Sequence, residues 1–467
     1  MMRALLALSL CCVATQAHAQ WEAQRTLASS GALYSNGVAA SGSRVHLIWG
    51  SDPISYALST DEGVTFSQPR SLVSSGTTHP TGPIVGSGSN VYLVFARVVA
   101  TVMDDCCPRE LIDLYLVRSQ DGGASWMPEQ RLTTSGAALR YEAAVSGSRI
   151  DLVWSDYRSG AWDIYYRKSM DNGANWQPEM RIATFNGVNL NRPRIASNRN
   201  NVHVSWDFEN RSVSCSGNCF QIYYKRSADG GDTWGSDTPL TPDTGVPGGY
   251  VGLRPSMVAV GASTVLIAYD SNRDSNVASD GTVHHEQELL RSTDNGTTWE
   301  PPVRLTFTPG DSTHGSFVAT GSSGHHVWCE VALDRASHSI HYRGTYDEGA
   351  TWSADEMIGS TDPGDTVIAY IATTDNYVHT VWPRGDQLQY SRRALAVAPA
   401  PDGGVTPDGS VGSDGGRFPD AGSSPDAGSG GASSMGGGCG CAVGVRSATE
   451  TWTLLVIVIV VLLRRRC

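Results

Sequence analysis

Side chains that could bind an anion recur at one spacing from an aromatic residue. Arg140, Arg192 and His314 each lie fourteen residues before a tryptophan that closes an apolar segment. Arg254 lies fifteen residues before a tyrosine, and His79 is near the same place in its own segment. Guanidinium groups gathered around one point suit the bidentate binding of a carboxylate. The spacing therefore predicts a ligand site if the fold brings these residues together.

Acidic residues follow the same aromatic residues and support a structural alternative. They are Asp52, Asp156, Asp207, Asp270 and Glu330. Arginines come soon after two of them, within the segments 156–158 and 270–273. Aspartate and arginine at equivalent places in a repeat predict ion pairs that hold neighbouring repeats and their loops. The ligand site and the ion-pair network both stay open.

The cysteines predict disulfides that would close loops. Cys215 and Cys219 bracket a loop short enough for a disulfide to close, and Cys106 and Cys107 occupy the corresponding insertion of an earlier repeat. Cys329 lies within an apolar strand, so we expect a buried free thiol there. Adjacent histidines on a strand point to opposite faces and offer at most one metal ligand per face. We therefore predict no metal site and no cofactor.

Six segments follow the pattern Ser/Thr-x-Asp-x-Gly-x-x-Trp/Phe, and we call them the Asp turns. The aspartate can accept hydrogen bonds from the backbone of a tight turn, and the glycine can adopt a positive φ. The aromatic residue anchors the outgoing strand in the core. We expect hairpin turns, not catalytic sites, about these aspartates: Asp61, Asp121, Asp171, Asp229, Asp294 and Asp347, spaced by about 57 residues.

This repeat length matches one four-stranded blade of a propeller. Apolar segments with a period of two precede each Asp turn, and no helical stripe appears in the middle region. A seventh strand pair, at 377–382 and 387–392, has no Asp turn and no fourth strand. The segment 21–27 is similar to 126–132, which follows an Asp turn. We predict an all-β, seven-bladed propeller of antiparallel blades whose last blade is closed by the N-terminal strand, with six blades as the alternative.

The Asp turns resemble the Asp-box, or BNR, repeats of the sialidase superfamily, and the resemblance spans residues 21–393. It implies a propeller but not an activity, because such repeats occur in glycan-processing enzymes, sorting receptors and binding proteins. Sialidases also carry a Phe/Tyr-Arg-Ile-Pro element, an arginine triad, a Tyr/Glu pair and an acid/base aspartate. The segments 192–195 and 254–255 match the first element only in part. Tyr141 and Glu142 are adjacent, so they face opposite sides of a strand and are not expected to act together.

The two ends of the chain predict export and attachment. Residues 1–19 have the pattern of a signal peptide cut before Gln20, and the propeller would occupy 20–397. Residues 398–438 form a Gly, Ser, Pro and Asp tract, which is typical of a stalk. The segment 439–467, with Cys439, Cys441, a short apolar run and an arginine cluster, resembles the C-terminal sorting signals of myxobacterial surface proteins. That resemblance implies a processing protease and attachment at the cell surface, by way of the outer membrane; a plain membrane anchor is the alternative.

The net charge of the chain excludes one class of function. The formal net charge is −12, and Lys and Arg do not cluster outside the last residues, which excludes non-specific binding to nucleic acid. We predict a surface-displayed binding or adhesion module for a glycan or another extracellular ligand. The alternative is an exo-sialidase or related glycoside hydrolase that holds an anionic sugar with a ring of arginines.

Overall fold

The computed structural model describes most of the region between the two ends of the chain. The residues described are 20–29, 36–50, 52–73, 78–79, 83–103, 108–184, 192–209, 220–241, 251–272, 284–333, 335–363 and 367–395. The predicted signal peptide, stalk and C-terminal segment lie outside them. So do the cysteines proposed for disulfides or sorting: Cys106, Cys107, Cys215, Cys219, Cys439 and Cys441. Among the described residues, no helix has the length and apolar character needed to cross a membrane.

Seven antiparallel sheets surround a central channel, so the prediction of seven blades is confirmed. Blade 7 includes the N-terminal strand β1 (Arg25–Ala28). Blade 1 has β2 (Asn36–Ser41), β3 (Arg44–Trp49), β4 (Ile54–Ser59) and β5 (Arg70–Val73). Blade 2 has β6 (Thr78–His79), β7 (Ile84–Ser87), β8 (Asn90–Met103), β9 (Pro108–Ser119) and β10 (Gln130–Arg131). Blade 3 has β11 (Ala138–Ser146), β12 (Arg149–Asp156), β13 (Asp163–Ser169) and β14 (Met180–Ala183).

The second half of the ring repeats this order. Blade 4 has β15 (Arg194–Asn198), β16 (Asn201–Glu209), β17 (Phe220–Ser227) and β18 (Thr238–Pro239). Blade 5 has β19 (Val251–Val260), β20 (Thr264–Ser271), β21 (Glu286–Ser292) and β22 (Val303–Arg304). Blade 6 has β23 (Asp311–Thr320), β24 (Ser323–Val331), β25 (His338–Thr345) and β26 (Glu356–Thr361). Blade 7 has β27 (Tyr370–Thr373), β28 (Tyr377–Arg384) and β29 (Gln387–Ala394) beside β1.

The ring closes between the two ends of the propeller, as predicted. β1 pairs antiparallel with β29, where Arg25 lies opposite Tyr390, and Trp21 forms a further bridge to Arg393. The Trp21 ring meets Tyr342 of blade 6 edge to face, with 5.1 Å between centroids. The aromatic residues of four Asp turns make the same kind of contact with the preceding blade. Because β29 is paired on both sides, blade 7 presents no open third strand.

The core lies between neighbouring blades, where the faces of two sheets meet. The aromatic residues near the ends of the second strands are its largest members: Trp154, Trp206, Trp328 and Trp382 are fully buried. Truncating a tryptophan of this kind to alanine typically costs about 3–5 kcal/mol. The inter-blade contacts therefore carry much of the stability of the ring.

The Asp turns share one hydrogen-bond pattern. The Ser59 hydroxyl donates to Asp61 at 2.7 Å and accepts from the Gly63 amide at 2.8 Å. The Thr65 amide donates to Asp61 at 2.9 Å. Equivalent bonds surround the other five aspartates. These carboxylates are therefore occupied in holding turns.

The glycine of an Asp turn also fits against the preceding blade. Gly123 has φ 85°, and a Cβ added there would lie 2.0 Å from the Tyr56 hydroxyl of blade 1. That hydroxyl in turn lies 2.9 Å from Nδ1 of the buried His46. The same contact recurs where Gly63 meets blade 7 and where Gly296 meets blade 4. A side chain at these glycines would push neighbouring blades apart.

The two ends of the blades differ. At one end, which we call the turn face, the Asp turns lie beside the hairpins that join the first and second strands of each blade. The loops of these hairpins have two or three residues. On the opposite side, the loop face, lie connections between blades and between second and third strands, such as 157–162. The described part of the chain has both of its ends near the turn face: the Glu22 amide donates to the Arg392 carbonyl at 2.9 Å, and the Leu395 amide donates to the Asn376 carbonyl at 2.7 Å.

Candidate functional site

Three of the residues predicted to form a ligand site share an unusual backbone conformation. Arg140, Arg254 and His314 have φ values of 44°, 49° and 59°, a region that residues other than glycine seldom adopt. Each lies at a shift in strand register on the loop-face end of the innermost strand of its blade. The constant spacing in the sequence thus corresponds to a repeated bulge beside the channel.

Buried aspartates hold these bulges from the preceding blade. The amide of Arg254 donates to Asp207 at 3.2 Å, and the amide of His314 donates to Asp270 at 3.2 Å. The same carboxylates pair with guanidinium groups: Arg192 with Asp207 at 3.0 Å, and Arg254 with Asp270 at 2.9 Å. The aspartate side chains are 1% and 0% exposed. Each acid therefore supports strained backbone and neutralises an arginine at once.

These contacts match the ion-pair interpretation of the acids. Asp156 pairs with Arg158 at 2.6 Å, as the segment 156–158 suggests. The partner of Asp270 is Arg254, not a residue of its own loop; Arg273 lies outside the described residues. Glu330 accepts hydrogen bonds from the hydroxyl of Ser312 at 2.6 Å. An ion-pair role and a ligand role are compatible, because a paired guanidinium still has further N–H groups to donate.

The other residues predicted for the ligand site differ in what they add to the mouth of the channel. His79 belongs to β6 and lies opposite Ala96, but its side chain lies outside what the structure describes. Burial, followed by the charge of Arg254, lowers the pKa of His314 to about 3, so its imidazole is neutral at physiological pH. Arg140 lies close enough to Tyr370 of blade 7 to interact with it electrostatically. The mouth thus carries fixed guanidinium groups and an uncharged imidazole.

The structure adds a group of residues that the sequence did not assign. Arg194 donates to the Glu142 carboxylate at 2.6 Å and to the Pro255 carbonyl at 2.8 Å. Tyr370 of blade 7 lines the channel together with this pair: burial raises the pKa of its phenol, and the charges of Arg194 and Glu142 also act on it. Tyr141, the sequence neighbour of Glu142, is instead buried in the core between blades 2 and 3. Tyr370 lies at this end of the channel only because the ring closes, so the sequence alone carried no signal for it.

A channel runs between the innermost strands below these residues, with a cavity volume of about 460 Å³. Small aliphatic side chains contribute much of its wall: Ala40, Val85, Ala144, Val258, Val318 and Ala372. Glu142, Arg194 and Tyr370 also line it, at its loop-face end. Cavities of this size suit small ligands or a single group of a larger one.

The mouth of the channel has two unlike sides. Blades 3 to 6 form what we call the charged arc: Arg140, Glu142, Arg192, Arg194, Arg254 and His314. On the side of blades 7, 1 and 2, which we call the opposite arc, the described residues include Ile368, Tyr370, Gly37 and Pro83. Ile368 is 37% exposed, although it is a large apolar residue. Among the described residues, a ligand at the mouth would therefore meet several guanidinium groups on one side, and an isoleucine and a phenol on the other.

Cys329 is free and buried, as predicted, and burial raises the pKa of its thiol to about 12. Within the described part of the chain, no three His, Cys, Asp or Glu side chains are grouped so that they could hold a metal ion. The proposed disulfides involve cysteines outside that part, so they remain predictions.

The chain matches no protein-family model and none of the curated protein sequences. Solved structures with similar folds include an intramolecular trans-sialidase from leech, at 10% identity and a TM-score of 0.43, with 68% of each chain covered. A Trypanosoma rangeli sialidase is similar at 14% identity and a TM-score of 0.42, over 66% of this chain and 52% of its own. YCF48, bound to the D1 peptide, is similar at 13% identity and a TM-score of 0.43, over 80% and 95%. At these levels the similarities carry no argument about the family or the activity of this chain.

Proposed function

We propose that the protein is an exported, surface-displayed binding module whose ligand occupies the loop-face mouth of the channel. The observation that carries the proposal is the grouping of three arginines from two neighbouring blades at that mouth. Arg192, Arg194 and Arg254 are each fixed by a carboxylate yet keep 26%, 32% and 26% of their side chains exposed. Donors held in place before binding lose little entropy, which favours capture of a carboxylate.

The direction of the chain supports display. Both Glu22 and Leu395 lie on the turn face, opposite the mouth. The predicted stalk at 398–438 would therefore leave from the face that does not bind. An anchored propeller would present its loop face to the surroundings, as a binding module requires.

A glycan array tests the ligand class first. Purified mature protein is expected to bind glycans that carry a carboxylate in preference to neutral ones. Arg192→Gln should weaken this binding at least about tenfold, the value of one charged hydrogen bond of about 1.5 kcal/mol or more. Arg181→Gln is a matched control, because Arg181 also pairs with a buried aspartate, Asp163 at 3.3 Å, but on the outer strand of blade 3. Equal losses in both variants would contradict a site at the mouth.

One observation favours a second candidate, a glycoside hydrolase of the sialidase type. Glu142 and Tyr370 come from different blades and line the channel together with Arg194, which places an acid and a phenol near guanidinium donors. Turnover of a fluorogenic sialoside by the folded protein, lost in Glu142→Gln and in Tyr370→Phe, would support this candidate. A folded protein with no turnover would reject it for that substrate.

A further inference from the structure

We propose that blade 6 carries a nucleophilic serine, Ser339, which hydrolyses activated carboxylic esters at a site outside the channel. By an activated ester we mean one whose leaving group is weakly basic, such as a phenol. The proposal goes beyond the binding function and does not depend on it. It follows from one chain of hydrogen bonds that joins Ser339, His341 and Asp355 in the arrangement of a catalytic triad.

The hydrogen bonds join a hydroxyl, an imidazole and a carboxylate in that order. The Ser339 hydroxyl lies 3.0 Å from Nε2 of His341, and Nδ1 of His341 lies 2.8 Å from Oδ1 of Asp355. Both distances are those expected between a nucleophile, its base and the group that orients the base. Triads of this kind are recognised by geometry and roles, not by order in the sequence, and they recur on unrelated folds.

Asp355 decides which ring nitrogen of His341 can act as the base. A carboxylate can only accept hydrogen bonds, so Nδ1 must carry the proton that is donated to Asp355. In the neutral ring, the lone pair then lies on Nε2, which accepts from the Ser339 hydroxyl. The hydroxyl proton therefore points at the group that would remove it.

The strands of blade 6 hold these side chains in register. Ser339 and His341 are two residues apart on β25, so they lie on the same face of the sheet. Asp355 directly precedes β26, which pairs with β25. The Trp328 ring packs against the imidazole, with 5.6 Å between centroids. The arrangement is therefore present before any substrate binds.

Solvent reaches all three side chains. The side chains of His341 and Asp355 are 14% and 25% exposed, and Ser339 is half-buried. Met357 lies opposite His341 in the ladder and is exposed. Its side chain offers apolar surface beside the base, which suits the acyl group of an aliphatic acid better than a charged acyl group.

The pairing of the strands sets the class of ester. β25 pairs with β24 on one side and with β26 on the other, so most of its backbone amides donate within the sheet and are not available as an oxyanion hole. Loss of one oxyanion donor typically lowers turnover by about a hundred- to a thousandfold. We therefore expect slow hydrolysis that is restricted to activated esters, and no cleavage of amides.

The reaction balances with water as the only co-reactant. Oγ of Ser339 bonds to the carbonyl carbon of the ester while its proton passes to Nε2 of His341. The C–O bond to the leaving group then breaks, and the phenol leaves with that proton. Water attacks the acyl group on Ser339, His341 takes a proton from the water and returns it to Oγ, and the carboxylic acid is released.

An alkyl fluorophosphonate tests Ser339 directly, because an activated serine forms an O–P bond with it and releases fluoride. The purified mature protein is expected to take up one equivalent at Ser339, located by peptide mass spectrometry, and the urea-unfolded chain to take up none. The folded protein should also hydrolyse p-nitrophenyl butyrate, and the labelled protein should not. No label, label on another serine, or label at Ser339 without ester hydrolysis would overturn the proposal.

Single substitutions assign the roles. Ser339→Ala should lose both the label and the hydrolysis. His341→Gln should lower the rate of labelling at least about a hundredfold, the usual contribution of a general base. Asp355→Asn should lower this rate at least about tenfold, and Asp355→Glu should restore part of it, because a carboxylate is needed to fix the tautomer of His341.

Ser360→Ala is the matched control, because Ser360 is also half-buried and lies opposite Ser339 in the ladder. This variant should keep the label and the activity. Urea unfolding of each variant separates a lost reaction from a lost fold. Equal rates of labelling in the wild type and in folded His341→Gln would overturn the proposal. If His341→Gln does not fold, the label on the wild-type protein still decides.

Discussion

The turn face and the loop face are built from the same blades but keep the repeat to different degrees. On the turn face, six aspartates make the same short-range bonds, and the glycine of four turns lies against a tyrosine hydroxyl of the preceding blade. On the loop face, equivalent positions carry Arg140, Arg254 and His314 in blades 3, 5 and 6, whereas blade 7 carries Ile368 and Tyr370. Uniform positions hold the ring together, and varied positions form the mouth of the channel.

The sharpest test of this contrast uses two aspartates of blade 5. Asp270→Ala removes a buried carboxylate that accepts from Arg254, Thr313 and Gln287, and it should cost about 3–5 kcal/mol because Arg254 loses its partner. Asp294→Ala removes a half-buried turn acceptor and should cost about 1 kcal/mol. Urea unfolding measures both. If both substitutions lowered the free energy of unfolding by a similar amount, the loop-face network would contribute no more stability than one Asp turn.

The contact between blades on the turn face can be broken at one glycine. Gly123→Ala combines a positive φ with a Cβ 2.0 Å from the Tyr56 hydroxyl, so it should lower the free energy of unfolding by about 2–4 kcal/mol. Gly42→Ala is matched in backbone conformation, at φ 55°, but its Cβ would meet nothing within 4 Å. It should cost only about 1 kcal/mol. Equal effects of the two substitutions would show that the tyrosine contact contributes little.

Acid should weaken the turn face through its buried histidines. Burial is the main cause that lowers the pKa of His46 to about 4, and of His203, His325 and His379 to about 3. Their usual value is about 6.5, so the unfolded chain binds more protons below that pH. Stability should therefore be complete above pH 6.5 and fall towards pH 4, by up to about 1.4 kcal/mol per pH unit for each histidine.

Two groups on the loop face act in the opposite direction. Burial raises the pKa of Glu286 from 4.5 to about 7, so protonation of Glu286 stabilises the fold as the pH falls from 7 to 4.5. Burial by itself lowers the pKa of His285, but the hydrogen bond and the charge of Asp311 raise it overall, so protonation of His285 also stabilises the fold. The four turn-face histidines outweigh these two groups. The free energy of unfolding should fall between pH 7 and pH 5. In His203→Gln, the slope of this fall with pH should decrease by an amount that corresponds to about one bound proton. A stability that does not change over this range would contradict the prediction.

Particular residues show how far the sequence could be interpreted. Counting back from the tryptophans found Arg140 and His314, which do lie at equivalent bulges. The same counting could not show that His314 is neutral, because its pKa depends on burial beneath other blades. Tyr141 was correctly separated from Glu142, yet the tyrosine that lines the channel with Glu142 lies far along the chain, in blade 7.

The sequence by itself determined the Asp turns, the number of blades and the closing strand, because each depends on short-range hydrogen bonds or on a repeat length that can be counted. Only the tertiary structure decided which arginine pairs with which aspartate, and which side of the channel is charged. Those contacts join different blades, and their distances exist only once the ring has closed and set every inner strand around one axis.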